Sequence, residues 1–265
     1  MSNYWRARAL ADEALAHKAA LQTCEKVREV YQRQYTIVMN DMIHLYAEMR
    51  SGATPTRSQL WSFVRWQRFE RDLSAFSTTT SKKVVSALTT SLEGVFRDVI
   101  GVDMSKYIDS PTHIVGDPTT AVNTAWSGEC FSSRIWNNTA AIARRIETDT
   151  QDMIVGGRSI KEVRRAIQED FGVGYRDAQR LVHTEHAYVA NNAAKQRYKA
   201  AGIKKVRWCA IPESDKTCET CKSYHGKVWL MGTEPSMPAH PNCRCVWQGV
   251  IELPGENVEC DGELT

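Results

Sequence analysis

From Leu21 onward the apolar positions Cys24, Val27, Tyr31, Tyr35, Val38, Met42, Leu45 and Met49 recur in steps of three and four, the spacing of a narrow seam along one long helix. The pattern predicts helix over most of residues 4 to 50. A strip this narrow forms no core alone, so it must lie along another helix, either the next one in an antiparallel hairpin or a partner subunit. Ser51 to Thr56, with Gly52 and Pro55, punctuates the end of the run. Leu60, Phe63, Trp66, Phe69, Leu73 and Phe76 then resume helical spacing over 58 to 77. Arg57, Arg65, Arg68 and Arg71 lie among these aromatics, which suits either a base-stacking surface for nucleic acid or a core with arginines on its outer face. The Thr/Ser run from Ser77 to Ser81 predicts a break. After it, Val84, Val85, Leu88, Leu92, Val95 and Val99 mark a further helix closing near Gly101.

Periodicity is absent from 102 to 120, where Pro111, Gly116 and Pro118 predict a linker or extended arm. It would separate an N-terminal helical docking region, 1–101, from a second domain, 121–251. In that domain Ala121 to Met153 predicts helix, stopped by Gly156 and Gly157. Ser159 and Glu162 then form a capping box, each end satisfying a free backbone amide of the other. The helix so started is expected to end around Phe171-Gly172-Val173-Gly174, and another to run from there to about Ala200, closed by Gly202. On this last helix Ala178, Leu181, Val189 and Asn192 define a buried stripe, and Glu185 falls on it. A carboxylate facing a core needs a partner, because burying it alone costs several kcal/mol. The role expected for Glu185 is a structural polar clamp between the helices and the module that follows, with a general acid or base as the alternative. Beyond Gly202, Val206 to Ala210, Lys227 to Leu230 and Cys245 to Ile251 predict three short strands of a small antiparallel sheet. The tail, 252–265, adds no further domain. The fold class expected is mainly α, with long N-terminal helices and a small C-terminal β module carrying zinc-like knuckles (α+β).

The chemistry is concentrated on the turns of that module. Asp215-Lys216-Thr217-Cys218-Glu219-Thr220-Cys221 is followed, eighteen residues on, by His240-Pro241-Asn242-Cys243-Arg244-Cys245. Cys-x-x-Cys lets two thiolates converge on one ion from a single turn, and His-x-x-Cys offers a second pair of similar reach, a fit to tetrahedral zinc. The candidate ligands are Cys218, Cys221, His240, Cys243 and Cys245. Cys245 alternates with Cys243 along an apparently extended segment, so it either points away from the ion or replaces His240; the spacing leaves the set of four open. A closed, structural zinc staple is favoured over an open catalytic site because Cys-rich sites rarely keep a vacant position. Disulfides are the competing use of the same cysteines. Their crowding into one stretch, with Cys209 just ahead and Cys24 and Cys130 alone in helical patterns, suits a metal site in a reducing compartment better than a secreted framework.

The rest of the composition narrows the class only a little. In 265 residues, 42% hydrophobic and 25% charged, no apolar run approaches the roughly 18 residues of a membrane span. The N-terminus shows no signal peptide, so a cytosolic site of synthesis is expected. A net charge of +3 argues for no partner. Between Lys195 and Lys227, however, nine Lys or Arg face three Asp or Glu, a basic stretch that either meets nucleic acid or is simply solvated.

In this order the motifs resemble those of the phage head morphogenesis family, the Mu F-like minor head proteins. The resemblance covers roughly Trp126 to Ile251. It rests on Phe131 to Asn138, on Gly157-Arg158-Ser159, and on Leu181-Val182-His183-Thr184-Glu185 with Asn191-Asn192-Ala193. It continues through Trp208, the Cys-x-x-Cys stretch, and Pro238-Ala239 running into His-Pro-Asn-Cys-Arg-Cys. His183 departs from the family's pattern, in which an arginine is usual before the Thr-Glu pair. The resemblance implies a minor capsid protein of a tailed phage, inside the head at the portal vertex, contributing to head assembly and to DNA packaging or delivery. Its implied partners are the portal protein, the major capsid protein and packaged double-stranded DNA. Some relatives carry an enzymatic or toxin domain after the knuckle module; with fourteen residues beyond Ile251, none is expected here. The competing expectations are a zinc-bearing nuclease, with His225 as the catalytic candidate beside the knuckle, and a DNA-binding module without chemistry.

Overall fold

The seam folds as its spacing predicts, into one helix, α1, Ser2–Met49. The structure, a computed structural model, describes residues 2–49, 54–101, 116–211 and 217–251. After α1 come α2 (Arg57–Leu60), α3 (Val64–Ile100), α4 (Pro118–Asn123), α5 (Phe131–Val155) and α6 (Ile160–Ala200). Three strands follow, β1 (Lys205–Cys209), β2 (Val228–Leu230) and β3 (Val246–Val250), with the short helix α7 (Glu219–Tyr224) between β1 and β2. The protein is therefore mainly helical with a small C-terminal antiparallel sheet, as expected.

The chain divides into two compact units, each drawn from stretches that are not contiguous in sequence. One unit gathers residues 1–23, 89–124 and 180–265; the other gathers 24–88 and 125–179. Each of α1, α3 and α6 contributes a segment to both. Of the expected linker, 102–115 lies outside the described residues. Its last residues begin α4 instead: Asp117 caps the helix, accepting the N–H groups of Thr119 and Thr120 at 3.0 Å each, and Pro118 needs no N–H partner at the first helical position.

In the unit of 24–88 and 125–179 the α1 seam is already covered. Cys24, Val27, Tyr31, Val38, Met42 and Leu45 are buried. Phe171 of α6 packs edge-on against Tyr31 and Tyr35 of α1 and tilts over Phe76 of α3, with ring centroids 6.5, 5.4 and 5.2 Å apart. Glu48 and Arg65 tie α1 to α3 at 2.5 Å. Of the two alternatives for the seam, packing within the chain is the one realised.

Three local expectations fail here, each for a tertiary reason. The Ser77–Ser81 run does not break the helix, and α3 passes straight through it. Ser81 Oγ shares a hydrogen bond of 2.6 Å with Thr139 Oγ1 of α5, and Ser77 another of 3.3 Å. Hydroxyls that would compete with the helix backbone at the surface are instead satisfied across a helix interface. Likewise α6 is continuous through Gly172 and Gly174. A Cβ at Gly174 would sit 2.3 Å from Ile142 Cδ1 and 3.2 Å from Tyr31 Cε1, and the Gly174 carbonyl accepts Asn138 Nδ2 at 3.1 Å. Glycine there permits close approach rather than a stop. The helix expected over 121–153 is in fact two, parted by a turn that includes Trp126, where Gly128 takes a left-handed φ of 94°.

The arginines among the α2 and α3 aromatics follow the core reading. Leu60, Trp66, Phe69, Leu73 and Phe76 are buried, whereas Arg57, Arg65 and Arg68 point outward into ion pairs with Asp152, Glu48 and Asp72. Phe63 departs from the predicted stripe, being 42% exposed on the turn between α2 and α3.

Candidate metal centre

The unit of 1–23, 89–124 and 180–265 builds the turns that carry the candidate ligands from a sheet and a helix. β1 is central, antiparallel to β2 on one side and β3 on the other, with Val206 opposite Trp229 and Trp208 opposite Trp247. Trp208, fully buried, meets Trp247 and Tyr224 at ring distances of 5.1 Å, and Trp229 closes the aromatic group at 5.7 Å from Trp247. Such edge-to-face pairs add to plain area burial. The sheet so fixed presents its two connections together. One carries Cys218 at the N-cap of α7; the other is the turn 240–245 leading into β3.

Those connections bring the predicted donors together. The ligand atoms of Cys218, Cys221 and His240 all lie within 4.8 Å of one another, as do those of Cys221, Cys243 and Cys245. Cys221 is common to both groups, its Sγ standing 3.3 Å from His240 Nε2 and 3.7 Å from Cys243 Sγ. That sulfur separation is far from the roughly 2.05 Å of a disulfide, and the described cysteines are free thiols. Cys245 does not point away. Its segment precedes β3 and is irregular, with Asn242 in the left-handed region at φ 61°, so strand alternation does not apply to positions 243 and 245.

Electrostatics within the group are uneven. The Cys243 thiol is held low, first by the hydrogen bond from Cys245 and then by the N–H groups of Cys245 and Ala239, against the opposing effect of burial. Cys221 is pushed up by burial, and Cys245 by its hydrogen bond to Cys243 together with burial. For His240 burial works downward, but the Pro241 carbonyl at 2.9 Å and the Cys243 and Cys218 sulfurs prevail and raise its pKa. A group of soft donors in which one thiolate is favoured while its neighbours resist ionisation is one that a cation can complete, since metal binding replaces the thiol protons. Cys and imidazole donors at these separations fit a metal ion.

The turn is tied to α6 and α1 by side chains that spacing alone did not single out. Thr184 Oγ1 accepts the N–H of Asn242 at 3.1 Å. Asn191 donates to the Cys245 carbonyl at 3.1 Å and accepts the Trp247 N–H at 2.9 Å. Tyr198 donates its hydroxyl to the Trp247 carbonyl at 2.9 Å. Arg244, between two cysteines, donates to Glu13 of α1 at 2.6 Å. Behind them Arg197, wholly buried, pairs with Asp12 at 2.5 Å and donates to the Val99 carbonyl at 2.6 Å. Asp12 lies on the buried stripe Trp5, Ala9, Ala16 and Ala20, the signal that singled out Glu185. Glu185 is itself buried, as expected, and after burial its charge is the next cause raising the Tyr188 phenol. Hydrogen bonds from this helix to the turn run through Thr184 and Asn191. His183, in the place of the family's arginine, stacks at 5.7 Å on His17.

Comparison with known proteins bears on this arrangement directly. Residues 144–248 match the family model described as Phage Mu protein F like protein. The Mu F-like region thus begins inside α5, takes in all of α6 and every candidate ligand, and ends within β3. It agrees with the resemblance carried by the Thr-Glu helix and the His-Pro-Asn-Cys-Arg-Cys turn, and it points to a phage head morphogenesis protein, with capsid-related partners and a place in the virion. Neither the curated proteins nor the solved structures gave a match. Among the described residues no helix is long and apolar enough to cross a membrane.

Proposed function

We propose that this chain is a minor head protein of a tailed bacteriophage, seated inside the head at the portal vertex and acting in head assembly and in DNA packaging or delivery. The observation that carries the reading is the coincidence of the Mu F-like region with a Cys/His centre bonded to α6 and α1. In this role zinc is structural: bound by donors from Cys218, Cys221, His240, Cys243 and Cys245, it joins the start of α7 to the 240–245 turn, which Thr184 and Asn191 hold against α6. The partners are the portal protein, the major capsid protein, or both. Pull-down from assembled particles tests this; failure to recover either partner, with the protein also missing from purified heads, sinks the reading.

The role proposed is not enzymatic. His225, the nuclease candidate, accepts the Ala210 N–H on its Nδ1 at 3.1 Å, so that nitrogen already serves the end of β1. Plasmid nicking in magnesium or manganese that disappears in His225→Ala would overturn this part. Packaged DNA is a weaker partner than the basic stretch suggests, because Lys195 is paired with Glu234, Arg197 with Asp12 and Lys222 with Glu219. Binding that falls steeply with salt would restore it, since each phosphate neutralised releases counterions.

A further inference from the structure

The centre offers five donors in two groups of three that share Cys221, while a structural zinc takes four. Two tight knuckles account for four of them. In the first, Cys218 Sγ accepts the Cys221 N–H at 3.3 Å, which fixes both sulfurs at the start of α7. In the second, the His240 carbonyl accepts the Cys243 N–H at 3.2 Å, and Cys243 Sγ accepts the N–H groups of Cys245 and Ala239. The His240 ring bonds the Pro241 carbonyl through Nδ1, leaving Nε2 toward Cys221 Sγ at 3.3 Å. A ligating histidine is ordinarily oriented in this way by a carbonyl on its other nitrogen.

Cys245 belongs to neither knuckle, yet its sulfur is among the buried ones, grouped with those of Cys221 and Cys243 within 4.8 Å. Its backbone is held in place by the bond from Asn191. A thiol kept this close to two of those donors, on an anchored backbone, lies within reach of an ion they hold. His240 is the neutral donor of the set and is partly exposed. We propose that Cys218, Cys221, His240 and Cys243 hold the ion and that Cys245 is a reserve ligand, taking the position of His240 when the imidazole is withdrawn. The ion so served is a four-coordinate, borderline-soft divalent cation, for which a site with four thiolates is as acceptable as one with three and an imidazole. This inference rests on the zinc reading above.

The test uses the full-length chain with zinc for stoichiometry and cobalt as the spectroscopic probe. Wild-type protein that takes up neither zinc nor cobalt removes the zinc reading, and the reserve ligand with it. With about one ion bound by the wild type, the variants decide the inference alone. Cys245→Ser should keep that ion with an unchanged cobalt spectrum, its affinity falling by no more than the roughly 10–100-fold typical of a group that only supports the ligands. His240→Ala should also keep the ion, with ligand-field bands moved to longer wavelength and stronger sulfur-to-cobalt charge transfer as a fourth thiolate enters. The double variant should lose it. Loss of the ion in Cys245→Ser, equal affinity of His240→Ala and the double variant, or a His240→Ala spectrum without the added thiolate would each overturn the proposal. If His240→Ala does not fold, Cys245→Ser still decides whether that thiol is dispensable.

Discussion

Asn191 is the side chain whose removal should be felt most directly at the turn 240–245. Both halves of its amide are used, one on the Cys245 carbonyl and one on the Trp247 N–H. Asn191→Ala leaves two backbone groups without those partners in a buried place, at about 1–3 kcal/mol each. Chemical denaturation followed by tryptophan fluorescence should show the loss, because Trp208, Trp229 and Trp247 report on the sheet. Asn191→Asp, which keeps one acceptor, should lose less of the Trp247 contact than of the Cys245 contact. His186 sets a pH dependence at the same scale. Burial pushes its pKa down to about 4, with a hydrogen bond to the Val182 carbonyl opposing and His183 adding a smaller push. Its Nε2 is bonded to Ser91 Oγ at 2.8 Å. In the unfolded chain the ring takes up a proton near its ordinary 6.5, whereas in the folded chain it resists until about 4. The contribution is therefore fully present above pH 6.5 and is lost as the pH falls toward 4. Unfolding free energies measured at pH 7 and pH 5 should differ less in His186→Gln than in the wild type.

At the scale of elements, two glycines in one helix should behave oppositely. Gly172 has only Arg176 Nη1 near a built Cβ, at 3.4 Å, so Gly172→Ala gains helix propensity and should stabilise by up to about 1 kcal/mol. Gly174→Ala collides with Ile142, itself fully buried, and should cost about 1–3 kcal/mol through overpacking. Thermal melts of the two single variants test both signs. The same pair explains what the sequence conceals. Start and stop chemistry was legible wherever it was local: the Ser159–Glu162 capping box forms with bonds of 3.1 and 3.2 Å, and Gly202 closes α6 at a φ of 70°. The strands, too, fall within a residue or so of their expected ends. Where a glycine or a hydroxyl run acted across a helix interface, local reading gave a break that packing does not make. The centre divides in the same way. The gathering of its five candidate donors was legible from Cys-x-x-Cys and His-x-x-Cys spacing. Thr184, Asn191 and Arg244, which hold the ligand turn, act over separations of 50 residues or more, and nothing in their local sequence states their partners.

Across the whole molecule, the helices and the candidate metal centre should respond differently to chelation. Seven helices, among the described residues, owe their formation to apolar stripes and caps, while the sheet is small and its connections carry the donors. Prolonged treatment with a strong chelator should therefore abolish much of the aromatic near-ultraviolet signal while leaving most of the far-ultraviolet helical signal. Equal loss of both would show that the metal supports the helices as much as the sheet.

The ion pair between Asp12 and Arg197 spans 185 positions in sequence. Its unit also draws on α3, and β3 closes beside β1 only after residue 246 has been made. During translation the opening turns of α1 must wait until residue 197 has been made before their buried acid meets its arginine. Contacts of such long range make for slow folding and a period in which apolar stripes lie open. An unfinished chain offers the ribosome-bound α1 a long exposed seam, so productive folding should depend on chaperones more than the high helix content suggests. A tag or deletion within the first twenty residues would disturb the partners of Arg197 and Arg244, not a detachable extension.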